Sequence, residues 1–137
     1  MKLQRATRCA LFAVFELARV PGRQVSAADI AETYDLSVNH LAKVLRELTR
    51  ARIIQSVRGA GGGYTLAANP KRLTLYDIVG KFEELGDDAG APPEPGADTD
   101  GGRALDRVLT EIDDITVATL KSISLTTFMK LSRKSGA

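Results

Sequence analysis

A chain of 137 residues has room for one compact domain, or a small domain with an appendage. Its 44% hydrophobic and 26% charged residues are the proportions of a protein that folds around a core. One cysteine, Cys9, and one histidine, His40, exclude an internal disulfide and a structural zinc site built from such side chains, and they offer catalysis almost nothing; no enzyme, metal or cofactor is expected. No apolar run approaches the length of a membrane span and no leader with a cleavage site is read, so a cytoplasmic protein without a membrane partner is expected.

The net charge of +2 hides an uneven distribution. Residues 1–85 carry 13 Lys/Arg against 8 Asp/Glu, whereas residues 86–102 carry 5 acids and no base. A polyanion would therefore meet the first 85 residues and be repelled by the acidic stretch.

Taken in chain order, Ala10, Leu11, Val14, Leu17 and Ala18 recur at helical spacing, with Thr7 as the expected cap and Pro21-Gly22 as the stop. Ser26, followed three residues on by Asp29, opens a second, short helix. Asp35-Leu36 is the turn after it. Ser37 then caps a third helix whose buried stripe is Leu41, Val44, Leu45 and Leu48, which leaves Asn39, His40, Lys43, Arg46, Glu47 and Arg50 on the other faces. Two β-prone pieces around Ile54 and Tyr64 follow, joined by a tip of Arg58, Gly59, Ala60, Gly61, Gly62 and Gly63 that predicts a hairpin. Thr74 is expected to cap a fourth helix running to Leu85.

Residues 86–102 hold five Gly, three Pro and five acids in 17 residues, a composition with little to bury, and they are expected to form a flexible loop. From Arg103 to about Ser122 the apolar residues Leu105, Val108, Leu109, Ile112, Ile115 and Ala118 come close to a coiled-coil seam. So regular a stripe on one long helix needs a partner, and a second copy of the chain is the expected one. Ser124 starts a last short helix. The expected division is therefore residues 1–85 as a DNA-binding domain, residues 86–102 as the loop, and residues 103–137 as a dimerisation helix with a short C-terminal helix.

Helix, short helix, turn, longer helix and hairpin is the order of a winged helix-turn-helix, a mainly α fold that puts its third helix in the DNA major groove. Ser37 and Asn39 stand at the start of that helix, His40 and Lys43 on its reading face, and Arg46 and Arg50 where phosphates would run. A solvated helix face would look similar; the wing decides, because Gly59, Gly61 and Gly62 beside Arg58 permit close approach to a narrow minor groove. The glycines do not make a nucleotide site, since Tyr64 replaces the third glycine of a dinucleotide fingerprint and no Gly-Lys-Ser/Thr is present.

Together, LSVNHLAKVLREL, IIQSVRGAGGGYTLA, IVGKFE and ISLTTF resemble the bacterial Rrf-type winged-helix transcription regulators, the IscR/NsrR/CymR family, over most of the chain. The NHLAK run is closest to the NsrR branch. The resemblance implies a homodimeric regulator, a repressor, swapped through the long helix and bound to an imperfect palindrome of double-stranded DNA. It also implies that Asn39, His40, Ala42 and Lys43 face the bases, with Arg58 and the glycine tip as the minor-groove wing. Members with an iron-sulfur cluster hold it on three loop cysteines, whose places here are taken by Ala91, Ala97 and Arg103, with Asp106 at a fourth ligand position. No such cluster is expected. Regulation would then come through oxidation of Cys9, which neighbours Arg8 and Arg5, or through a small-molecule or protein effector; the other reading of Cys9 is a small buried hydrophobe of the first helix. A second reading is a protein-interaction module that keeps this fold and docks a metabolic enzyme.

Overall fold

The computed structural model describes residues 1–59, 61–85 and 92–133. Its elements follow in the order α1 (Arg5–Arg19), α2 (Ala27–Tyr34), α3 (Val38–Arg50), β1 (Ile54–Val57), β2 (Gly63–Leu66), α4 (Leu75–Val79), α5 (Asp100–Ser122) and α6 (Leu125–Lys130). The first three helices pack into one core with α4, α6 and the hairpin, and Leu17, Ile30, Leu41, Leu45, Leu48, Ile78 and Leu125 are sealed from solvent at its centre.

Most helix starts are local events. The hydroxyls of Ser26, Ser37, Thr74 and Ser124 each accept the backbone N–H three residues on, which satisfies a donor that a helix start leaves open. Thr74 and Asp77 complete a reciprocal capping box. Asp35 closes α2 in the left-handed region at φ 54° and turns the chain toward α3.

Three sequence expectations are corrected. Thr7 does not cap α1; the helix begins two residues earlier and Thr7 is fully buried within it. The capping is supplied from a distance: Glu83 Oε1 accepts the Gln4 backbone N–H and the Thr7 hydroxyl, both at 2.7 Å. The fourth helix does not run to Leu85 but stops at Val79, where bonds such as Lys81 N–H to the Ile78 carbonyl tighten the chain into turns that carry Glu83 to α1. The long helix starts at Asp100 rather than Arg103, because the Thr99 hydroxyl accepts the Gly102 N–H and adds a turn. Of the expected loop, residues 86–91 lie outside the described residues.

The hairpin pairs Ile54 with Leu66 and Val57 with Gly63. A separate one-residue rung forms on the other side of β2 as Val25 and Tyr64 exchange both backbone hydrogen bonds, at 3.0 and 2.9 Å. That rung explains Gly63: a Cβ there would stand 3.0 Å from the Val25 carbonyl oxygen. The wing is thus anchored to the α1–α2 connection.

Candidate nucleic-acid interface

The recognition helix is fixed by what it buries. Leu41, Val44, Leu45 and Leu48 hold α3 against α1 and α2, and most of its other residues are left to water. Asn39, Ala42, Lys43, Arg46 and Arg50 are all exposed, as is Ser37 at the helix entry, whose hydroxyl accepts the His40 N–H at 3.3 Å. A groove runs between this face and the hairpin, lined by Ala42, Arg46, Thr49, Arg50, Ser56 and Tyr64. Arg50 reaches Glu47 at 3.2 Å across an exposed ion pair, which is worth little and exchanges readily for a phosphate. Ser56 and Thr49 were not singled out by sequence reasoning. Alternation along β1 gives no signal for Ser56, since it would place it on the face of buried Ile54, whereas Gln55 and Ser56 are both exposed.

The wing tip has the geometry its glycines imply. Gly59, Gly61 and Gly62 take φ values of 141°, 90° and 48°, a region that side chains strain to enter, and Arg58 beside them is exposed. His40 departs from expectation. It is half-buried, and its Nε2 is closed off from solvent without a hydrogen-bond partner among the described residues, so that nitrogen is not offered to a base edge.

Cys9 falls to the second of its two readings. Adjacent positive charge would activate an accessible thiol, but the side chain lies at 0% exposure in the core and burial pushes its pKa up. In the closed fold it is a small apolar core residue. A maleimide should consequently label the native protein only as fast as the core opens and label it at once in denaturant; rapid stoichiometric labelling of folded protein would contradict this burial.

A compact core with a basic recognition helix and a glycine-tipped wing defines a winged helix-turn-helix protein. The sequence matches the Rrf2 family, described as iron-dependent transcriptional regulators, over residues 3–131, and the chain belongs to that family. It is 55% identical over 131 residues to the HTH-type transcriptional regulator BadM named in Rhodopseudomonas palustris, covering 96% of this chain and 83% of that one. It is 36% identical over 85 residues to the transcriptional regulator NsrR of Bacillus subtilis, covering 61% and 58%. The solved structure of CymR, the global cysteine regulator of B. subtilis, superposes with a TM-score of 0.80 at 27% identity, covering 97% of this chain and 99% of that one. The protein is a DNA-binding transcription regulator, and the reading as an enzyme-docking module is not favoured. Among the described residues no helix is long and apolar enough to cross a membrane.

The family is described as iron-dependent, and a thiolate-held iron-sulfur cluster does not fit this chain's donors. Its one cysteine is buried in α1. Ala97 has no ligating atom in its side chain, and Arg103 donates to the Asp98 carbonyl and pairs with Asp100. Asp106 is an exposed carboxylate on α5, and Ala91 lies outside the described residues. Iron-sulfur centres need thiolates, which these positions do not supply.

Proposed function

We propose that the protein is a repressor that binds an imperfect palindrome as a homodimer, without a thiolate-held cluster, in the cytoplasm. In this reading residues 1–85 contact DNA, residues 86–102 connect, and residues 103–137 hold the dimer. The observation that carries it is the groove shared by α3 and the hairpin, where Arg46 and Arg50 line one wall and no carboxylate lines the other. Asn39 and Lys43 are exposed on α3 and reach for base edges; Arg46 and Arg50 take phosphates; Arg58, with Gly59, Gly61 and Gly62, enters the minor groove.

The dimer is supported by α5. Leu105, Val108, Leu109, Ile112 and Ile115 are 50–61% exposed, and α5 has no buried residue. Its C-terminal end docks on the core of its own chain, through Leu120 and Ile123 and through the Leu75 N–H bonded to the Ile123 carbonyl at 2.9 Å. An effector, small molecule or protein, would act on this assembly.

The test is a pair of substitutions read on the same operator. Lys43→Ala should cost about 1–3 kcal/mol and relax preference at one base position, as loss of a base contact does. Arg58→Ala should weaken binding chiefly where the flanking steps are A·T-rich, because a narrow minor groove concentrates negative potential there. Unchanged operator affinity in both variants would reject the docking.

A further inference from the structure

Away from the α3 groove and from the α5 stripe, a cleft of about 550 Å3 opens between the end of α1 and α6. Its floor is apolar, formed by Phe15, Ala18 and Met129, and its rim carries three cations, Arg19, Lys130 and Arg133, with no acidic residue in the lining. The Phe15 ring is held edge-on against Phe128, with centroids 5.6 Å apart. Arg19 is steadied from two sides: its guanidinium lies over the Phe15 ring at 6.0 Å, and one nitrogen donates to Glu16 Oε1 at 3.1 Å. Glu16 is already committed, since the same oxygen accepts the Tyr34 hydroxyl at 2.6 Å. The carboxylate therefore fixes Arg19 without neutralising the other two cations.

We propose that this cleft binds a small organic anion, an apolar body seated on Phe15 and Met129 with its carboxylate held by Arg19, Lys130 and Arg133. The charge complementarity is specific in kind: a guanidinium and two further cations line one cleft with Phe15, Ala18 and Met129, which suits an acid with a hydrophobic tail and gives no advantage to its neutral analogue. The site also has a route to the DNA. The α6 side of the cleft continues directly from α5 through Ile123 and Ser124, and the α1 side packs against α3. A ligand clamped between α1 and α6 thus bears on the dimer helix and the recognition helix together. In that role the proposal rests on the regulator reading above and names the class of its effector.

The experiment titrates the full chain with 2-naphthoate and, separately, with neutral 2-naphthamide by calorimetry, using the unmodified protein and the double variant Lys130→Gln/Arg133→Gln. One naphthoate should bind per chain, the amide should bind about tenfold more weakly or worse, and the double variant should lose naphthoate affinity by about the same factor, as removal of charge-assisted contacts predicts. Both substitutions are at exposed positions, and a thermal melt confirms that the variant is folded. Equal binding of acid and amide, an undiminished naphthoate affinity in the variant, or no binding at millimolar naphthoate would overturn the proposal. A variant that binds naphthoate normally but has lost operator affinity would overturn it as well and mark the cleft as a DNA-backbone contact. Failure of the unmodified protein to bind DNA counts against the regulator reading alone, because the naphthoate titration does not depend on it.

Discussion

Replacing Ile112 and Ile115 together with Asp should leave a folded monomer that has lost its operator. Both side chains stand in the exposed apolar stripe of α5, so in the isolated subunit the new carboxylates meet water and the core is untouched. In the dimer they would be buried, two from each protomer, without partners, at a cost of several kcal/mol. Operator affinity should fall by roughly 10²–10⁴, the contribution expected from linking two half-site modules. Sedimentation equilibrium and anisotropy on the same preparation read both effects. A variant that stays dimeric places the interface elsewhere, and an unmodified protein that sediments as a monomer ends the dimer proposal.

Leu45→Ala should be the more damaging change to the fold. Leu45 is fully buried on the face of α3 that packs on α1, and removing its three carbons leaves a cavity that neighbouring helices only partly close. Losses of about 2–5 kcal/mol are typical for such truncations. Since domains of this size are held by roughly 5–15 kcal/mol, that is a large share of the total, and the recognition helix loses its seat with it. Urea unfolding should show a lower midpoint with an unchanged slope; a loss under about 1 kcal/mol would contradict the packing described for α3.

Features written in neighbouring residues were legible from the sequence. The stripe Leu41, Val44, Leu45 and Leu48 and the capping serines at 26, 37 and 124 depend on spacings of three and four residues, and the structure reproduces them. The wing glycines were legible because three positive φ angles in five residues leave few other residue types. What escaped depends on contacts distant along the chain. Thr7 reads as a cap by residue type, yet Glu83, 76 positions away, takes its hydroxyl and closes the helix start instead. The Val25 rung occupies one residue and has no pattern to betray it. For Cys9 the sequence left two readings open, because it does not show that the adjacent charges, Arg5 and Arg8, point to solvent while the thiol points inward, so that desolvation governs its chemistry. The surroundings of His40 were likewise not legible: helix position puts it on the reading face, and tertiary packing closes off its Nε2.

The central claim, that the α3 and wing surface grips a DNA duplex as a pair, is tested most directly by the salt dependence of binding. Arg46 and Arg50 from two protomers give about four phosphate contacts, which predicts a slope of about −3.6 for the logarithm of affinity against the logarithm of salt. Between about 50 and 200 mM NaCl, anisotropy on an operator duplex should therefore show affinity falling on the order of 10²-fold. Binding that is absent at low salt, or unchanged across that range, would contradict the account.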